Sequence, residues 1–364
     1  MKDNKVLFLD NYYHSTENIV DCQIMHLKDI CMTIGLPFSG AMCFGISEGY
    51  DFTYWLDRTS KIPCLIMLGR SQKVLDVFFD KIGVMYDIKT ILTESDFQNS
   101  VENYIKLNHV PLVYADRYYL RYLEQKYNRA HFGNHMISIN GLRKKDNEIS
   151  FAVYDVISDD VIWCKSDEIQ IARRSWWKPF SPDCKIIDVD LNVSNINCFK
   201  NHISEMLLES INNVATRMLF NKNAGVYAMA ALSSEIKYLL KSDLAKYERV
   251  ISFQMKLISS FIREFEETHS FYRMTYSLFL EEASIKYGLD FLYSFSLRMK
   301  EIANYWISMS ELISSKKEID ELLNEFSRKL KKASELEKNF FKDLKRLIHE
   351  SANLHINFKK GETK

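Results

Sequence analysis

Residues 130–155 read AHFGNHMISINGLRKKDNEISFAVYD, and the alternation inside this stretch decides the fold of the first half of the chain. Met136, Ile137 and Ile139 form one short apolar run broken by Ser138, and residues 149–154 form another. The polar segment Arg143, Lys144, Lys145, Asp146, Asn147 and Glu148 lies between them. Two such runs joined by a polar connection predict an antiparallel hairpin. The start of one strand then lies beside the end of the next, which brings His135 at the entrance within reach of Asp155 at the exit. His131 and His135, four residues apart, also raise a metal reading. Gly133 and the alternation that follows place them in a loop running into a strand, where this spacing gives no shared face. No further ligand stands at a suitable spacing, so no metal is expected and His131 is assigned to support of the loop.

Working outward, Ile24, Leu27, Ile30, Cys31 and Ile34 recur at three and four residues, with Gly35 where a C-terminal cap belongs; a helix beginning near Asp21 is predicted. The apolar runs at 62–69 and 110–115 read as strands. All five prolines and eight of the eleven glycines precede residue 183, whereas the pattern after residue 195 is helical almost throughout. The expected architecture is α+β, a helix with an antiparallel sheet over residues 1–180, followed by an all-α domain over 181–364. In the second half Ile319, Leu322, Phe326, Leu330, Phe340, Leu344 and Leu347 share one stripe, suited to core or subunit packing or else to a partner groove, so a homodimer stays open.

Composition narrows the function classes. Among 364 residues, 48 Lys and Arg balance 48 Asp and Glu, which removes the usual electrostatic footprint of a nucleic-acid binder. There is no uniform apolar run of about 18 residues for a membrane span and no basic-then-apolar start for a secretory signal, so a cytoplasmic protein is expected. Seven scattered cysteines without a CxxC pair argue against a disulfide framework and structural zinc.

The chemistry points to Cys22. In the first turn of the early helix it meets the positive end of the helix dipole and unpaired N–H groups, both of which favour thiolate; the competing role is that of a small buried hydrophobe. A cysteine nucleophile needs a histidine base held by a third polar group, and His135 with Asp155 fits that need. Helix, strand and neighbouring strand, in that order, are similar to papain-like cysteine enzymes. Ser47 and Glu48, between Gly45 and Gly49, are expected near a substrate cleft. Asp116 and Tyr118, which follow a strand, are candidates for substrate contact or structure. Arg173, Arg174, Ser175, Trp176 and Trp177 read as interdomain packing.

Cys22 heading a helix, SGAMCFGISEGYDFTY at 39–54, PLVYADRYY at 111–119, HFGNH at 131–135 and Tyr154-Asp155 together resemble the N-terminal domain of the butirosin-biosynthesis acyltransferase family. FYRMTY at 271–276, FLEEA at 279–283 and EIANYW at 301–306 are similar to the helical domain commonly found behind it. The resemblance implies a papain-like, peptidase-C39-related fold used for acyl transfer, similar in kind to the amide synthase of closthioamide biosynthesis. It implies Cys22 as nucleophile, His135 as base and Asp155 as its orienter. It also implies no bound cofactor, phosphopantetheine presented by a partner acyl or peptidyl carrier protein, and a small-molecule or carrier-bound amine as acceptor. Asp21 stands where the family often has histidine. Thr16 stands six residues upstream of the cysteine, where papain supplies an oxyanion-hole glutamine, which leaves Asn18 and the Cys22 backbone N–H as candidate oxyanion donors. A peptidase or thioesterase of the same fold, or a binding module without catalysis, remain the alternatives.

Overall fold

A computed structural model of the protein describes residues 5–17, 21–57, 64–124, 130–146, 148–178, 180–192, 202–239, 248–263, 268–315 and 317–361. In chain order the strands are β1 (Lys5–Phe8), β2 (Tyr50–Asp57), β3 (Cys64–Arg70), β4 (Tyr86–Thr90) and β5 (His109–Ala115). They continue with β6 (His135–Lys145), β7 (Glu148–Asp155), β8 (Ser158–Lys165) and β9 (Lys185–Asp190). The helices are α1 (Cys22–Thr33), α2 (Gly40–Ile46), α3 (Val74–Ile82), α4 (Glu94–Lys106), α5 (Ser166–Arg173) and α6 (Ile203–Phe220). Beyond them come α7 (Gly225–Leu239), α8 (Glu248–Arg263), α9 (Arg273–Tyr287), α10 (Leu292–Ile313) and α11 (Ile319–Gly361).

Two compact units result, one from Met1–Cys43 with Leu75–Asn201, the other from Phe44–Val74 with His202–Lys364. The expected border at residue 180 differs from this division twice. Strand β9 lies beyond it, yet Ile186, Ile187 and Val189 are buried between β4 and β5 in the first unit's sheet. Residues 44–74, from the half expected to form one domain, join the helical unit instead.

The first unit is α+β. Its antiparallel sheet runs β4-β9-β5-β6-β7-β8, with β1 beside β6. The predicted hairpin is β6–β7, but its strands are longer than the apolar runs: Arg143 pairs with Ser150, Lys144 with Ile149 and Lys145 with Glu148. The polar segment is therefore mostly strand, at an end of the sheet where long charged side chains reach water.

Helix α1 is enclosed on every side. Ile24, Leu27, Ile30 and Cys31 are fully buried, and so are His26 and Asp29, with Lys28 nearly so. Buried polar groups must find partners. The Lys28 ammonium donates to the carbonyls of Ser15 at 2.8 Å and Glu17 at 2.7 Å. Asp29 holds His14 Nδ1 at 2.7 Å, while His14 Nε2 meets the Ser158 carbonyl at 3.0 Å. Asp21 caps the helix by accepting the Ile24 N–H at 2.9 Å, and Gly35 follows the C-terminus at φ +83°, a left-handed backbone that suits glycine.

In the second unit the β2–β3 hairpin joins helices α6–α11. Arg273 sits at its centre, fully buried, with Nε 3.0 Å from Glu337 Oε1 and its guanidinium 4.6 Å over Tyr50 and 4.5 Å over Trp306. Leu322, Phe326, Leu330, Phe340 and Leu344 of the expected stripe are buried within this unit. Small residues let α7 and α11 approach: Ser327 donates to the Ser233 carbonyl at 2.7 Å and Ser334 to that of Val226 at 2.8 Å. Among the described residues, no helix is long and apolar enough to cross a membrane.

Candidate active site

Cys22 is the first residue of α1, partly exposed, with Asp21 as its capping neighbour. His135 opens β6, and its Nε2 lies 2.8 Å from Asp155 Oδ2 at the end of β7. The Cys22 side chain lies close enough to the His135 ring to act on its charge. Since Nε2 is committed to Asp155, Nδ1 is the ring nitrogen left for the sulfur. The structure thus brings Cys22, His135 and Asp155 together within the first unit.

The electrostatics follow from burial and charge. Burial alone would lower the His135 pKa; the charges of Asp155 and Cys22 and the hydrogen bond to Asp155 outweigh it and push it up to about 10. His135 is then an imidazolium at neutral pH. Asp155 is completely buried, which alone would raise its pKa, but His135, the Val156 N–H at 2.6 Å and the Tyr122 hydroxyl at 2.9 Å hold it below the usual carboxylate range.

His26 lies one turn beyond Cys22. Its Nε2 donates to the Met136 carbonyl at 3.2 Å, which braces the cysteine helix against the strand that begins with His135. Burial lowers its pKa to about 3, so the ring stays neutral. Residue 22, 26 and 29 spacing puts Cys22, His26 and Asp29 on one helical face.

Other expected residues are placed as follows. Asn18 lies outside the described residues. Thr16 is engaged elsewhere, its N–H and hydroxyl both bonded to Asp159 Oδ1, at 2.6 and 2.7 Å. Ser47 and Glu48 belong to the second unit. Ser47 is buried and donates to the Phe44 carbonyl at 2.8 Å. Glu48 accepts from Asn213 at 2.7 Å and Arg217 at 3.3 Å. Arg217 is therefore the reason a carboxylate stands at 48.

Asp116, Tyr118 and His131 come together with Ser175 and Trp177. Asp116 is fully buried and accepts from Ser175 Oγ at 2.6 Å, His131 Nδ1 at 2.8 Å and the N–H groups of Phe132 and Tyr118. Burial alone would raise its pKa, but these donors hold it low. The His131 ring stacks between Tyr118 at 4.0 Å and Trp177 at 4.3 Å, and Trp177 stacks on Trp176. His131 thus supports the loop, and Gly133 lets it close: a Cβ there would lie 2.3 Å from the Phe180 carbonyl oxygen. Arg173 is buried over the Phe97 ring at 4.2 Å and bonded to Gln170, whereas Arg174 and Lys178 are exposed.

A cysteine heading a buried helix, a histidine opening an antiparallel strand and a carboxylate ending the next strand are the arrangement of papain-like cysteine enzymes. Residues 21–155 match the family model described as butirosin biosynthesis protein H, N-terminal, and residues 194–344 match a domain of unknown function, DUF4872. The match over residues 21–155 is to the family that the resemblance implied. That family points to acyltransferase-like chemistry in antibiotic biosynthesis. Comparison with curated proteins gave no match.

Proposed function

We propose that the protein is an acyltransferase that moves an acyl or aminoacyl group from a carrier-protein thioester to an amine. The observation that carries this reading is the His135 ring held between Asp155 and Cys22. Cys22 Sγ attacks the thioester carbonyl, a new C–S bond forms, and the C–S bond to the carrier's phosphopantetheine breaks as His135 gives its proton to the departing thiolate. The neutral His135 then takes a proton from the attacking amine. A C–N bond forms, the bond to Cys22 breaks, and the amide leaves with the thiolate–imidazolium couple restored. Thioester exchange is nearly isoenergetic and amide formation runs downhill, so no ATP enters. Asp155 holds the ring in the tautomer and plane both steps need.

Intact mass spectrometry of the protein mixed with acyl-loaded carrier, with and without an amine, tests this reading. An acyl adduct on Cys22, absent in Cys22→Ala and discharged as an amide when amine is present, is expected. Free acid in both samples would make the protein a thioesterase, and the absence of any adduct would leave the fold a binding module.

A further inference from the structure

The Tyr122 hydroxyl and the His135 ring share one oxygen. Asp155 Oδ2 receives Tyr122 Oη–H at 2.9 Å and His135 Nε2–H at 2.8 Å, while Oδ1 accepts the Val156 N–H. Two donors on one carboxylate oxygen compete for the same negative charge, so each weakens the other's hold. We infer that Tyr122 is a positioning residue for the Cys22–His135 couple: it pins the Asp155 carboxylate and moderates how tightly Asp155 keeps the proton on His135. This rests on the acyl-transfer reading above for its purpose, not for its geometry.

The placement is built. Tyr122 sits on the short turn Arg121–Leu123, whose backbone is tied down by the Arg121 N–H on Glu168 Oε1 at 2.8 Å and by buried Leu123. Its own hydroxyl cannot ionise near neutrality, because burial and the Asp155 charge raise its pKa well above the ordinary value. It therefore acts as a donor in every protonation state of the couple. The proposed reaction needs His135 to release a proton in the first step and accept one in the second. An Asp155 answering to His135 alone would favour the charged ring in both, and would slow the release; a second donor lowers that bias.

Tyr122→Phe removes the hydroxyl and keeps the ring. Histidine NMR titration of full-length Cys22→Ala and Cys22→Ala/Tyr122→Phe, with His135 assigned by a His135→Ala sample, reads the effect without any acyl chemistry. The Cys22→Ala background takes away the sulfur's share of the upward shift. Loss of the hydroxyl should move the His135 midpoint upward by about half to one pH, equivalent to about three- to tenfold in proton affinity. In the Cys22-containing protein, the acetyl thioester of N-acetylcysteamine, whose basic alkyl thiolate leaves with a proton as the carrier's phosphopantetheine does, serves as acyl donor and glycinamide as amine. Tyr122→Phe should slow release of the first product about three- to tenfold at pH 7, with a defect that changes with pH. Superimposed titrations overturn the inference, as does a rate defect constant across pH, which a purely structural tyrosine would give. If wild type acquires no acetyl group on Cys22, the acyl-transfer reading fails alone, because the titrations still decide the role of Tyr122.

Discussion

Replacing His26 with glutamine takes a titrating group out of the interior and retains an N–H able to reach the Met136 carbonyl. In the folded protein burial lowers the His26 pKa to about 3, whereas an unfolded chain has it near 6.5. As pH falls below about 6.5 the unfolded chain takes up a proton that the folded one refuses, so folding stability drops. Integrated over the two titrations, the drop is about 2 kcal/mol from pH 7 to pH 5 and about 4 kcal/mol by pH 3. His135 and His14 run the other way, because their pKa values are raised in the fold. Their stabilisation is fully present below about pH 6.5 and is lost as pH rises, through about 10 for His135. Both histidines are common to variant and wild type, so they cancel in the difference. Urea unfolding at several pH values, read by labelling of fully buried Cys31 in the same helix, isolates the first unit. The stability of His26→Gln relative to wild type should improve by about 2 kcal/mol between pH 7 and pH 5. Curves that stay parallel would refute a neutral, buried His26.

Asp155→Asn withdraws the charge that keeps His135 protonated; iodoacetamide alkylation of Cys22 at pH 7 should slow by at least about tenfold, and an unchanged rate removes Asp155 from the couple. In the second unit Arg273→Met leaves Glu337 fully buried without its cation, a loss of about 3–5 kcal/mol by thermal or urea unfolding. The double variant Arg273→Met/Glu337→Gln should recover much of it, since glutamine can still accept the Trp306 N–H that Glu337 accepts at 2.7 Å.

What the sequence disclosed was whatever repeats locally. The hairpin of β6 and β7 and the apolar spacing of α1 are periodic signals, and the pairing of His135 with Asp155 follows from hairpin geometry alone. The polar side of α1 was not legible: His26, Lys28 and Asp29 look like an exposed face until the fold encloses them. Tyr122 stands on an irregular turn with no period to mark it. Strand β4 escaped because four of its five residues are exposed, so its alternation carries no burial signal. Ser47 and Glu48 were read from nearby glycines, but the partner that explains Glu48, Arg217, is 169 residues away. Contacts of that range leave no pattern in a single sequence.

The excursion of residues 44–74 into the helical unit sets an order of events on the ribosome. Tyr50 and Phe52 are fully buried there, Tyr50 beneath Arg273 and against Phe341. At synthesis rates of about 5–20 residues per second, the β2–β3 hairpin emerges on the order of ten to fifty seconds before those partners exist. An isolated two-stranded hairpin is marginal in water, so this segment must wait, apolar side open, while the first unit is completed around the gap it leaves in the chain. A nascent chain halted after residue 201 carries that unmet surface, and a fragment begun at residue 202 lacks the aromatic floor on which Arg273 rests. The second unit can be finished only after the last helix is made.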